Sequence, residues 1–387
     1  MRKPEHRWKC IGSVLKALTG TCLLLQAGLM VLPVHGFAAQ EAEPDQVSRI
    51  AVLTHSFSSE YWGYVKQGCL AYDTVDPSVI VDVQEATSSI ASDEQAMLLQ
   101  EDLDSGTYDA YVISAINRES IEDVLRDVTV PVIAMNAPID ADCVIGGTGM
   151  DNEVAAAAGA KKAVEMALQA GWEKPGCVMI GGSEEDANQV VRMNGFRKGI
   201  EENGGIWLDA VYPTDKSADG AREAIKQIMK DNPDGVAIVA CYNDVLAVNA
   251  LEEASSNPAF ENTVFLGFDG NGSICDRIMN DEQYANMVTV AQNPYEMGFH
   301  AVEMLSQYLM EEKSVEISAS ADAGDGASAD AGDGTSADAD DGASTEAGDA
   351  GNAESEAENL NWYDSGYTVI TKVNAQERML QIMSHLR

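Results

Sequence analysis

Apolar runs of strand length recur along the chain, and longer segments of helical period separate them. The runs read RIAVLT, SVIVDV, DAYVIS, VPVIAM, GCVMIGG, GIWLDAVY, GVAIVA, TVFLGF and ANMVTVAQ. Between them lie segments such as SDEQAMLLQEDLDSG, DNEVAAAAGAKKAVEMALQAG and KSADGAREAIKQIMKD. The runs are rich in Val and Ile and do not alternate with polar residues, so both of their faces need cover. Strand-then-helix repetition of this kind calls for parallel sheets with helices on both sides. The expected fold class is therefore α/β, with doubly wound parallel sheets.

Two segments stand outside that pattern. Residues 1–39 open with MRKPEHRWK, and from Ala17 to Gln40 no charged residue occurs. Basic, then apolar, then small is the order of an export signal, with cleavage expected near Ala38 or Ala39. The uncharged stretch is also long enough to span a bilayer as an uncleaved anchor. Gly, Thr and Gln dilute it and Pro33 stands near its end, which favours cleavage. The body beyond has no further stretch of spanning length and is expected outside the cytoplasm, in the periplasm or at the cell envelope. The second segment, 317–358, carries the acidic octapeptides SADAGDGA, SADAGDGT, SADADDGA and STEAGDAG from Ser320 onward. It has no aromatic, Lys or Arg and cannot offset its chain entropy by burial, so disorder is expected there. Strand-like alternation resumes in DSGYTVITKVN, so the tract interrupts a fold. Without these two segments about 306 residues remain, room for two lobes.

The net charge of −39 excludes some functions. Residues 1–39 carry +4 and the tract −12, which leaves −31 for the rest. Such a field repels nucleic acid and anionic membrane surfaces. The five cysteines beyond the signal (Cys69, Cys143, Cys177, Cys241, Cys275) show no CxxC spacing and no companion histidine cluster. Buried free thiols are expected, with no metal and no cofactor. G-x-S-x-G, H-E-x-x-H, Walker-A and G-x-G-x-x-G motifs are all missing, which argues against an enzyme.

In open parallel sheets a ligand binds beyond the carboxyl ends of the strands, so the residues there carry the functional signal. They are His55 to Trp62, Ser114 to Asn117, Asn136 with Ala137, Arg192, Asn243 with Asp244, Asp269 and Gln292. Amides, carboxylates and a guanidinium pair well with vicinal hydroxyls, and aromatic faces stack on the C–H faces of a sugar ring. Some of these residues have plainer roles open to them. Asn243 or Asp244 is placed to cap the following helix. Tyr61, Val65, Cys69 and Tyr72 share a helical face directed at the core, and Trp62 lies about 100° round from Tyr61, so one of the two is expected off that face. His300, in GFHAVEML, reads as a helix-surface residue.

In this order the motifs resemble the periplasmic sugar-binding proteins of the ribose-binding type, over about residues 49–315 and again at 364–374. RIAVLTHSFSSEYWGYVKQG is similar to the family's first strand and helix. Tyr61 and Trp62 stand at its aromatic pair, and Ser59 stands where Asn is usual. RMNGF matches R-x-x-G-F and implies ligand binding by Arg192. YNDVLAVNAL, LGFDG and VAQNPYEMG imply the same for Asn243, Asp269 and Gln292, and MDN places Asn152 at the first crossover between lobes. The family's Asp-Arg after the fourth strand is replaced by Asn136-Ala137, which implies a less hydroxylated or differently shaped ligand. The resemblance implies two doubly wound lobes joined by three hinge crossovers, one of 48–148 plus 293–316 and one of 149–292 plus 360–387. It also implies a monomeric, exported solute-binding protein that takes a sugar-like molecule to a membrane ABC permease. A sensor subunit docking on a chemoreceptor or histidine kinase is the alternative.

Overall fold

The computed structural model describes residues 47–57, 59–87, 91–182, 187–213, 217–324 and 361–385. The segment read as an export signal, residues 1–39, and most of the acidic tract lie outside them. The first five strands are β1 (Ser48–Thr54), β2 (Val79–Glu85), β3 (Ala110–Ile113), β4 (Val132–Met135) and β5 (Val144–Gly149). The next five are β6 (Gly176–Ile180), β7 (Ile206–Val211), β8 (Ile238–Cys241), β9 (Val264–Asp269) and β10 (Met287–Gln292). Two short strands close the series, β11 (Asn361–Asp364) and β12 (Tyr367–Ile370). They form two six-stranded sheets, in the orders β11-β5-β4-β3-β1-β2 and β12-β10-β9-β8-β6-β7. All pairings are parallel except β10 with β12.

Helices cover both faces of each sheet, as the unalternating strands require. In β1, Ile50 and Val52 pack with residues of α1 (Glu60–Val75) and α9 (Pro294–Gly324). Ala51 and Leu53 point the other way, toward α2 (Ser92–Ser105) and α3 (Arg118–Leu125). The second sheet is covered by α4 (Asn152–Gln169), α5 (Ala187–Glu202), α6 (Ala218–Asp231), α7 (Asp244–Ala254), α8 (Gly272–Asn280) and α10 (Ala375–His385). Small residues set the closest helix contacts. A Cβ on Gly195 of α5 would lie 2.3 Å from the Glu153 carbonyl on α4, and one on Gly68 of α1 would lie 2.0 Å from the Tyr295 carbonyl on α9.

The chain passes between the sheets three times: from β5 into α4, from β10 into α9, and from β11 into β12. These crossovers are bonded to one another. Ser365 donates its N–H (2.6 Å) to the Gly149 carbonyl, and Asn293 Nδ2 donates (2.6 Å) to the Ser365 carbonyl.

The last third of the chain departs from its expected boundaries. β11 belongs to the first sheet, paired with β5, although 360–387 was expected in the second lobe; the crossover falls after Asp364. Its place is set by Trp362, whose ring lies over Gly147 and Gly149, where a Cβ would approach to 2.2 Å and 2.8 Å. The helix expected to stop at 316 continues to Gly324, into the start of the acidic tract. His300 is half-buried rather than a surface residue. Its ring centroid is 4.0 Å from that of Tyr363, and Glu296 and Glu303 flank it. Tyr61 and Trp62 are both buried, so neither leaves the packed face as the helical period suggested.

Candidate functional site

The strand ends β1 and β4 of the first sheet face β6, β8, β9 and β10 of the second through the residues that follow them. Six expected site residues form one continuous series of contacts there. Asn136, after β4, accepts at Oδ1 from the Tyr61 hydroxyl (3.3 Å), and the same hydroxyl lies 3.1 Å from Gln292 Oε1 at the end of β10. Gln292 Nε2 donates to Asp269 Oδ1 (2.8 Å). Arg192 Nη1 lies 3.9 Å from that carboxylate, and its Nε donates to Asn152 Oδ1 (2.9 Å) at the start of α4. The series runs from the first lobe to the second and back to the crossover. Arg192, Gln292, Asn152 and Tyr61 are each buried.

Backbone geometry marks two members of the series. Asn136 has φ +73° and Asp269 has φ +114°. Asn adopts the left-handed region readily, but Asp at +114° carries strain on the order of 1–3 kcal/mol. Such strain concentrates where a side chain must be aimed at something other than its own fold.

Electrostatics follow from burial. Burial pushes the Tyr61 hydroxyl above the usual tyrosine range, the Asp269 charge adds to the rise, and Arg192 opposes it. Tyr61 is thus a neutral hydrogen-bond group at any working pH. The guanidinium of Arg192 lies 3.9 Å from the Phe268 ring centroid and 4.8 Å from that of Tyr242, and its Nη1 donates to the Tyr242 carbonyl (3.1 Å). An arginine fixed on aromatic faces keeps its planar fork in one orientation.

The remaining candidates are placed differently. His55 stacks on Trp62, with centroids 4.3 Å apart and planes 6° from parallel, and Trp62 meets Tyr61 edge to face at 5.1 Å. Ser59 is the exposed N-cap position of α1 and makes no side-chain cap bond. Asn243 is the N-cap of α7, its Oδ1 accepting from Leu246 N (3.1 Å). Both stand apart from the central series. The capping role open to either Asn243 or Asp244 falls to Asn243.

Asp244 has another task, which its sequence position left open. It is buried, accepts from the Thr289 hydroxyl (2.6 Å) and from Gly270 N (2.8 Å), and so braces the turn that carries Asp269. Burial pushes its carboxyl well above the ordinary value, and the Asp269 charge adds to the rise. Tyr242 and Phe268, each one residue before a candidate, were also not singled out: Phe268 ends an apolar run, and Tyr242 opens YNDVLAVNAL, where Asn243 drew the reading. Among the described residues, the five cysteines are all buried and unpaired.

Across the cleft rim, Glu60 in the first turn of α1 accepts from the Ser273 hydroxyl (2.6 Å) and lies within 3.4 Å of Ser273 N, at the start of α8. Tyr64 donates to the same carboxylate (2.6 Å). Together with Tyr61–Gln292, this puts the two lobes in direct contact around the site.

Comparison with known proteins agrees with this architecture. The solved structures it resembles include an ABC transporter solute binding protein from Bacillus halodurans with bound myo-inositol, with TM-score 0.65 and 14% identity over 88% of this chain and 100% of that one. Another, from Actinobacillus succinogenes with bound D-allose, has TM-score 0.63 and 16% identity over 85% and 99% of the two chains. A glucose-galactose binding protein from Geobacillus stearothermophilus has TM-score 0.63 and 17% identity over 85% and 98%. At these identities the likeness establishes the fold, that of the type I periplasmic binding proteins. No curated protein matches the sequence. A periplasmic binding protein domain matches residues 50–313, well over half of the sequence, and the chain belongs to that family.

Proposed function

We propose that the protein is an exported solute-binding protein that captures a small sugar or related polar molecule between its lobes and delivers it to an ABC permease. One observation carries the reading: the series Asn136–Tyr61–Gln292–Asp269–Arg192–Asn152 runs unbroken between the lobes at the strand ends. It offers an amide, a carboxylate and a guanidinium to hydroxyl groups, with the Trp62 and His55 rings beside them. Family membership supports the reading, as do fold relatives with bound myo-inositol and D-allose.

In this reading Arg192, Asp269, Gln292 and Asn136 hold the ligand's oxygens, and Tyr61 serves as a neutral donor. Trp62 supplies the ring face, while His55, Ser59, Asn152 and Asn243 border the site. Ala137, where relatives of the ribose-binding type carry an arginine, leaves one end of the site less polar. The work is binding and release by lobe closure, with no bond made or broken.

Calorimetric titration with D-ribose, D-allose, D-fucose and myo-inositol tests the reading. At least one is expected to bind, and Arg192→Ala and Asp269→Ala are each expected to lose about 2–5 kcal/mol of it while staying folded. Full affinity in both variants removes them from the site, and no binding by any of the four removes the sugar reading.

A further inference from the structure

Arg378, on the last helix, is a buried cation with an unusual set of partners. Its side chain enters from α10, behind the cleft, and the residue is 6% exposed. Nε lies 3.3 Å from the Gly270 carbonyl. Nη1 donates to Asn293 Oδ1 (2.9 Å) and Gln381 Oε1 (2.8 Å), and Nη2 donates to the Gln292 carbonyl. Every one of these acceptors is neutral. Burying a guanidinium without a carboxylate against it is expensive, and an apolar side chain would fill the same space at less cost. What the guanidinium adds is a rigid fork that holds several carbonyls in one arrangement.

The carbonyls it holds belong to the site. Gly270 follows Asp269, and Asp269 and Gly270 have φ of +114° and +63° in succession. The peptide between them is tied on its N–H side to Asp244 Oδ2 (2.8 Å), and the Gly270 carbonyl is tied to Arg378. Gln292 contributes its side chain to the site and its carbonyl to Arg378. Asn293 belongs to the second crossover and bonds the third through the Ser365 carbonyl. One guanidinium thus joins the strained turn, the end of β10 and the hinge.

We propose that Arg378 is a positioning residue for ligand capture: by holding the Gly270 and Gln292 carbonyls from behind the cleft, it sets the Asp269 and Gln292 side chains before a ligand arrives. The proposal rests on the sugar-binding reading for its consequence but not for its geometry. Arg378 touches no ligand in it. The lost affinity on its removal would come from Asp269 and Gln292 relaxing away from their places.

The test has two arms on the full chain, with Arg378→Met and Arg378→Lys. Hydrogen exchange needs no ligand. Amides of 270–273, 293 and 295–297 are expected to exchange at least about tenfold faster in both variants, while those of β6 and β8 keep their protection. Unchanged protection at 270–273 overturns the proposal whatever the ligand is. In the second arm D-ribose, D-allose, D-fucose and myo-inositol are titrated into the wild type and the variants. For a sugar that binds, affinity is expected to fall roughly 10- to 100-fold in Arg378→Met, with little recovery in Arg378→Lys. Combining Arg378→Met with Gln292→Ala is expected to cost less than the product of the single losses. A merely structural arginine would lower the melting temperature and leave affinity within twofold, or give independent losses; either result overturns the proposal. If none of the four sugars binds the wild type, the sugar reading falls and the exchange arm alone decides Arg378.

Discussion

Asp269 and Asp244 are two carboxyl groups held close together under different constraints. Asp269 sits on a backbone angle that favours glycine and shares the site with Arg192, whereas Asp244 lies deeper, bonded to Thr289 and the Gly270 amide. Asp244 is buried and Asp269 half-buried, and burial together with the neighbouring Asp269 charge disfavours ionisation of Asp244. The folded-state value of Asp244 is raised above its ordinary 3.8. Its contribution to stability is therefore complete below about pH 4 and lost as pH rises through the raised value. Asp244→Asn cannot ionise and keeps an oxygen for Gly270 N. The wild-type melting temperature is expected to fall more steeply than that of Asp244→Asn as pH rises from about 4. Parallel melting curves would show that Asp244 is ionised throughout. Of the candidate site, the side chains after each strand were legible in the sequence as candidates, but their supports were not. Arg378 was invisible because two of its partners are backbone carbonyls, which carry no residue signature, and Asp244 because a helix cap explained it.

Among the elements, α1 and α8 meet end to end across the cleft, and a single carboxylate makes the junction. Glu60 faces the start of α8, where unsatisfied N–H groups and the helix dipole attract negative charge. The contact joins helices of different lobes, so it exists only when the lobes are together. Glu60→Gln is expected to weaken ligand affinity by about 0.3–1 kcal/mol, chiefly through faster release. Stopped-flow release of whichever sugar binds measures this, and an unchanged release rate would remove Glu60 from the closed state. Other elements differed in how readily the sequence disclosed them. The Val- and Ile-rich strands were plain, because burial on both faces leaves an unbroken apolar run. β5 was not, because VIGGTG reads as a turn; its glycines make room for Trp362, a residue more than two hundred positions away. β11 and α10 were missed for the complementary reason: NWYD is short, and α10 packs on α8, a partner about a hundred positions earlier.

For the molecule as a whole, the three crossovers run side by side and are bonded to one another, the arrangement that hinge closure requires. The acidic tract falls between α9 and β11, the edge strand of the first sheet. Loop-closure entropy grows only about 0.6 kcal/mol per doubling of length, so a long acidic insertion there costs little. Replacing 325–358 with a short Gly-Ser linker is expected to leave melting unchanged and ligand affinity within a few-fold. A rise in melting temperature with calcium, seen only in the full chain, would instead assign the tract a metal-dependent role. The return of the chain to the first sheet also sets a schedule for its synthesis. A ribosome releases β1 through β5 early, yet the face of β1 that packs on Met297, Ala301 and Leu305 stays open until α9 emerges. The edge of β5 stays unpaired until residue 361 follows. The second sheet gains its own last strand only a few residues later. Neither lobe can therefore finish while the other is still being made, and a nascent chain remains incomplete in both halves until residues 361–370 have emerged.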